Sequence, residues 1–148
     1  MAREHALVAA VRGGGFVCDT APLVYRLERS ASGKVLAAVD ALFDQVEEGM
    51  LGCLVSTLVA AELLVQPYRA YPPAATVVDG FLRGSHVGIV EPSLGVAHGA
   101  ARLVARRVVP RLGDAIVAAT AAEVGLQLVT ADRRLARAVE GLLVQDYA

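Results

Sequence analysis

Four carboxylates in this chain stand where short apolar runs end or apolar helices run. Asp19 follows Phe16-Val17-Cys18, and Asp132 comes just past the run Leu126–Val129 and Thr130. Asp114 opens a helix made almost wholly of Ala, Val and Ile, and Glu62 lies within Leu58–Val65. A strand that delivers an Asp at its C-terminal end is where an open α/β sheet places ligand chemistry. We read Asp19, Glu62, Asp114 and Asp132 as one site.

Three of these acids have a simpler explanation as well. Asp19 and Asp132 can each cap the helix that follows, and Asp114 occupies a first helical turn, where the helix dipole favours an acid. Glu62 is harder to dismiss. Its neighbours at one turn's spacing are Leu58, Val59, Val65 and Gln66. An all-apolar helix predicts burial, and a carboxylate buried there must be paired or hold a metal. Crowded carboxylates raise one another's pKa and protonate unless a cation holds them. The chain has no His/Cys set with zinc spacing. An oxygen-only site therefore points to Mg2+ or Mn2+, as one or two ions. Such a site activates a water and stabilises a phosphodiester's developing charge, with two ions about 3.5–4 Å apart when both are present.

The elements that must position these acids can be read in order. Residues 1–15 carry a short helical pattern ending in Gly13-Gly14-Gly15, which reads as a hinge. Phe16–Cys18 is a strand, and a helix capped by Asp19 or Thr20 runs to about Arg29. From Lys34 to Glu48, apolar residues at helical period face Asp40, Asp44, Glu47 and Glu48, which read as ordinary surface acids. A strand at Cys53–Val55 leads into the Glu62 helix, which Pro67 is expected to stop. Further helices at Ala74–Arg83 and Ser93–Arg107 flank a strand at His86–Val90. The Asp114 helix, the strand ending near Thr130, a helix at Arg133–Glu140 and a strand at Leu142–Val144 complete the pattern. Strands alternating with helices predict a parallel sheet covered on both faces.

Composition narrows the classes. The 148 residues suit one domain, and no run of about 18 uncharged apolar residues suggests a membrane span. Hydrophobic residues make up 55% and the mean hydropathy is +0.52, an excess that suggests a dimer or a partner on an apolar face. The net charge of −1 makes no electrostatic case for nucleic acid by itself. Its distribution says more, because all but Lys34 of the 14 basic side chains are Arg, the residue suited to bidentate phosphate recognition. Arg111, Arg133 and Arg134 lie close in sequence to the acids and are expected to contact substrate phosphates. Cys18 and Cys53 fall in strands without metal spacing and read as small buried hydrophobes in a reducing, cytoplasmic setting.

In order and spacing, VCDTAPLVYRLE, STLVAAELL, LGDAIVAATAAEVGLQLVTAD and DRRLARAVEGLLV resemble the PIN-domain ribonucleases. In size the chain looks like the toxin of a VapBC-type toxin–antitoxin pair. The resemblance runs from about Phe16 to Val144 and divides the chain into an N-terminal extension, 1–15, and a PIN-like nuclease domain, 16–148. It implies a three-layer α/β fold, a central mostly parallel sheet of about five strands with helices on both faces. It also implies Mg2+- or Mn2+-dependent endonucleolytic cleavage of RNA. Asp19, Glu62, Asp114 and Asp132 fall on the family's four acidic positions, as catalytic residues and metal ligands. Thr20 and Thr130 match hydroxyl positions that support the metal cluster. A homodimer, and an antitoxin whose tail enters the acidic groove, are implied as partners. Leu135 departs from the pattern, standing where an aromatic often follows the last acid.

Other readings fare worse. A haloacid-dehalogenase-like phosphatase wants a second Asp two residues after the first, where this chain has Ala21. A receiver domain wants a late Lys, and the only Lys is Lys34. His5, His86 and His98 belong to no Ser- or Cys-centred motif. The remaining alternative is a PIN fold kept as a non-catalytic binding module, against which four intact acids argue.

Overall fold

A computed structural model describes residues 3–148 of the chain. Five strands form one all-parallel sheet in the order β3-β2-β1-β4-β5. They are β1 (Gly15–Cys18), β2 (Gly52–Ser56), β3 (Val87–Val90), β4 (Gln127–Thr130) and β5 (Leu142–Leu143). Among the described residues eight α-helices accompany them: α1 (Ala6–Ala10), α2 (Thr20–Glu28), α3 (Gly33–Glu47), α4 (Thr57–Ala70), α5 (Ala75–Leu82), α6 (Leu94–Ala105), α7 (Leu112–Val124) and α8 (Arg133–Val139).

The strand order reverses at β1. The chain steps outward from β1 to β2 and β3, then returns to β4 on the other side of β1. Because such crossovers are right-handed, the helices before and after the return lie on opposite faces. Every residue of β1 is buried, as a strand covered on both faces requires. Its apolar run supplies that burial, and an edge-to-face chain of rings ties it to the helices. Phe16 lies 5.9 Å from Phe43 of α3, which lies 5.8 Å from Phe81 of α5.

The glycine run is not a simple hinge. Gly13 and Gly14 turn with positive φ, but Gly15 already belongs to β1 and pairs with Gly52. A Cβ on Gly15 would lie 2.9 Å from the Gly52 carbonyl oxygen, so the two strands approach too closely there for a side chain. Ahead of it, α1 packs against α3 and adds Leu7, wholly buried, to the core. The Gln127 side chain clasps this segment. Its amide oxygen accepts the Arg12 N–H at 2.7 Å, and its NH2 donates to the Ala10 carbonyl at 3.1 Å.

Two expectations fail. α4 does not stop at Pro67 but continues to Ala70, and the Pro67 carbonyl accepts the Tyr71 N–H at 2.8 Å. A proline removes one helical N–H, which bends or weakens a helix without ending it when the next turn can still bond. The outer acids of α3 are also not all simply solvated. Arg26 of α2 reaches across to Asp40 at 2.7 Å and to Asp44 and Glu47 at 3.0 Å each. Arg29, in the left-handed conformation that ends α2, adds a two-pronged bond to Asp40 at 2.6 and 2.9 Å.

This network staples α2, whose first turn carries the site, to α3. Arg26→Ala is expected to destabilise the protein by about 1–2 kcal/mol in urea unfolding, less in high salt. Arg29 and Arg26 hold the Asp40 carboxyl below its ordinary value of 3.8. That contribution is complete above this value and is lost as pH falls through the lowered one. The difference between wild type and variant should therefore shrink in acid.

Candidate functional site

Asp19 and Asp132 follow the C-terminal ends of β1 and β4, the point at which the strand order reverses, and Glu62 and Asp114 lie near enough for the acids to feel one another's charge. Asp19 is the anchor, 9% exposed, immediately after β1. It caps α2, as expected, with one carboxylate oxygen accepting the Thr20 N–H at 2.8 Å. The other accepts the Thr130 hydroxyl at 2.7 Å. Thr130, wholly buried at the end of β4, accepts in turn the Asp132 N–H at 3.1 Å. A single hydroxyl thus ties the acid after β1 to the loop after β4.

Asp132 caps α8, one oxygen accepting the N–H groups of Arg134 and Leu135 at 2.9 and 3.2 Å. Asp114 occupies the first turn of α7, and its carboxyl makes no hydrogen bond among the described residues. Glu62 corrects its sequence reading. It projects from an exposed face of α4, beside the exposed Ala61, Val65 and Gln66, rather than from a buried helix. Apolar residues all round a helix also arise where one side is left bare, and Val65, Tyr68 and Tyr71 are 50%, 63% and 65% exposed. Glu62 nonetheless points to the site, accepting the Thr20 hydroxyl at 3.3 Å. Thr20 thereby bonds both Asp19 and Glu62, through its N–H and its side chain.

The acids sense one another. Loss of water is the main cause that raises the Asp19 carboxyl above its ordinary value, with the Asp132 charge adding to it. Hydrogen bonds from Thr130 and Thr20 pull the other way. Desolvation likewise raises Glu62, with the charges of Asp19 and Asp114 behind it. Asp114 is raised by desolvation, then by Asp19 and Asp132, and lowered by Arg111. This is the pattern of carboxylates partly withdrawn from water and crowded together, with Arg111 opposing the shift at Asp114 alone.

No three acidic, His or Cys side chains among the described residues close around a point as an ion cage would. The donor set still suits Mg2+ or Mn2+. These ions take oxygen ligands, and Mg2+ keeps several waters while using only one or two carboxylates.

The arginines divide. A cavity of ≈ 330 Å³ is lined by Asp114 and Asp132 together with Arg111 and Arg134. Arg133 points into another cavity, toward Asp146 at 3.8 Å. Val109 and Leu135, 2% and 1% exposed, wall the acidic cavity. Nothing in the sequence marks Val109, which stands in the break before Pro110. A larger cavity of ≈ 440 Å³ lies away from the acids between α6, α7 and α8, and its one acid, Glu123, is bonded to Ser93. Cys18 and Cys53 are buried free thiols, as their strand positions predict.

The comparisons with known proteins follow this geometry. No curated protein matches the sequence. Solved structures share the fold at low identity. A toxin–antitoxin complex from Klebsiella pneumoniae matches at 20% identity and a TM-score of 0.64, over 86% of this chain and 95% of the other. VapBC2 from Rickettsia felis, bound to a DNA fragment from its promoter, matches at 17% identity and 0.66, over 87% and 96%. FitAcB from Neisseria gonorrhoeae matches at 18% identity and 0.63, over 86% and 95%. The PIN-domain family model matches residues 16–141, from the strand that delivers Asp19 to the turn beyond α8. The chain therefore belongs to the PIN-domain family.

Proposed function

We propose that this protein is a divalent-metal-dependent endoribonuclease, the toxin of a type II toxin–antitoxin pair. The observation that carries the reading is the clustering of Asp19, Glu62, Asp114 and Asp132 about the sheet's reversal point, three of them with carboxyls raised by burial and one another's charge. Such a cluster is costly to fold and gains its purpose from a cation.

Asp19, Glu62, Asp114 and Asp132 would hold Mg2+ or Mn2+, one ion or two. When bound, the metal supplies charge neutralisation and the activation of water for phosphodiester hydrolysis. The chain's own groups do the positioning. Thr130 and the Thr20 N–H fix the Asp19 carboxylate from two sides. Thr20 steadies Glu62 through its hydroxyl. Asp132 has one oxygen committed to capping α8, and its other oxygen makes no hydrogen bond among the described residues.

Partner assignments belong to the same reading. Three structural neighbours, a toxin–antitoxin complex, VapBC2 and FitAcB, support a cognate antitoxin. The exposed apolar side chains of Tyr68, Tyr71, Leu94 and Leu112 support a homodimer. Among the described residues no helix is long and apolar enough to cross a membrane. We place the protein in the cytoplasm.

The test is cleavage of a mixed RNA pool by purified, partner-free protein with Mg2+, Mn2+ or EDTA. Cleavage that requires metal is expected. Silence of the folded, metal-loaded protein across many RNAs would favour a non-catalytic binding module instead.

A further inference from the structure

Arg111 and Arg134 are placed where helices ordinarily avoid a cation. Arg111 is at the N-cap of α7 and makes no side-chain capping bond, and Arg134 lies in the first turn of α8. At both positions the helix dipole opposes a positive charge. Neither guanidinium forms an ion pair among the described residues, although both line one cavity with Asp114 and Asp132. Arg133, equally ill-placed by the dipole, has Asp146 as a counter-charge and faces a different cavity. The local rule is thus broken twice beside the acids with no contact ion pair, although the Asp114 charge is felt by Arg111 across the cavity. A broken local rule of this kind is expected at functional sites.

We infer that Arg111 and Arg134 together form the seat for an RNA backbone phosphate lying next to the bond that is cut, and that Arg133 takes no part. The inference rests on the nuclease reading and deepens it. Two guanidinium forks on one cavity match the tetrahedral oxygens of a phosphate. The buried side chains of Val109 and Leu135 form an apolar wall that strengthens such a charge-assisted pair. An RNA strand passing the acids carries its next phosphate close by, within reach of the same cavity. An acidic peptide would satisfy the arginines too, but it brings no group for the acids to act on.

Binding, rather than turnover, tests this. A fluorescein-labelled, mixed-sequence single-stranded RNA is titrated by anisotropy in Ca2+, an oxygen-binding cation that offsets the acids' charge, over a range of salt. The protein is wild type, Arg111→Ala, Arg134→Ala, Arg133→Ala, Arg111→Lys or Arg134→Lys. Arg111→Ala and Arg134→Ala should each weaken binding about tenfold and lower the salt slope by up to about 0.7, the value for the one single-strand phosphate contact that they share. Arg133→Ala should bind as wild type. The Lys variants should restore the slope but only part of the affinity, because an ammonium carries the charge without the fork. Equal losses in all three Ala variants, indicating a diffuse basic surface, would overturn the seat. So would unchanged binding by Arg111→Ala and Arg134→Ala, absence of RNA binding by wild type, or displacement of the RNA by poly-glutamate at matched charge. If the expected pattern appears but Mg2+ and Mn2+ give no cleavage, the nuclease reading fails and the two arginines stand only as a phosphate-binding site. If cleavage is metal-dependent and binding ignores both arginines, the seat alone fails.

Discussion

Asp114→Asn is expected to lower metal-dependent RNA cleavage by about 10²–10³-fold, the scale of losing one preorganised charge from a catalytic site. The same variant should make the metal-free protein more stable at neutral pH. Asp114 makes no hydrogen bond among the described residues, and desolvation, Asp19 and Asp132 together raise its carboxyl above the ordinary 3.8. The folded state therefore binds its proton more tightly than the unfolded chain does. Stability falls as pH rises from that ordinary value through the raised one, and the whole cost is present above it. An amide has no charge to pay for. Thermal unfolding in EDTA should show the variant and wild type alike in strong acid and the variant ahead at neutral pH. Divalent metal should reverse the order, because it stabilises the state that binds it. A variant less stable than wild type in EDTA at neutral pH would contradict the account of a crowded, desolvated cluster. Asp19→Asn should lose activity as well but gain no such stability, since both Asp19 oxygens already accept hydrogen bonds.

Leu7→Ala is expected to destabilise the fold by about 2–5 kcal/mol, the cost of truncating a fully buried leucine. That corresponds to a fall in Tm on the order of 10 °C for a domain of this size. Leu7 is 0% exposed, and α1 touches both α3 and the 3-10 turn Val144–Tyr147 near the other end of the chain. Calorimetry or urea unfolding would measure the loss. A Leu7→Ala protein as stable as wild type would make the first fifteen residues a peripheral addition to a domain beginning at Phe16. Two-step unfolding would say the same.

The parts of this molecule that follow local rules were legible in its residues. Alternation of apolar runs with helical periods marks all five strands to within a residue or two, because a doubly covered parallel sheet needs continuous apolar strands. Asp19 and Asp132 announce themselves as caps, and both do cap helices. What could not be read was long-range. The all-apolar sequence around Glu62 looks the same whether a helix is buried or has one side bare, so its exposed face was missed. Arg26 meets its three acids across two helices, a partnership no periodicity encodes. Arg111, Arg133 and Arg134 are indistinguishable as residue types, and only their placement separates the two beside the acids from the one beside Asp146.

The bond from the Thr130 hydroxyl to Asp19 spans 111 positions of the sequence. β1 has its first partner in β2 but gains its second, β4, only when almost the whole chain is available. Contacts of such separation form late, because loop closure must precede them. During synthesis, which proceeds from the N-terminus, the Asp19 end of the sheet can fold while its hydroxyl tether and Asp132 have yet to be made. The acidic cluster is therefore one of the last things this chain completes, and a truncated or still-growing copy lacks it.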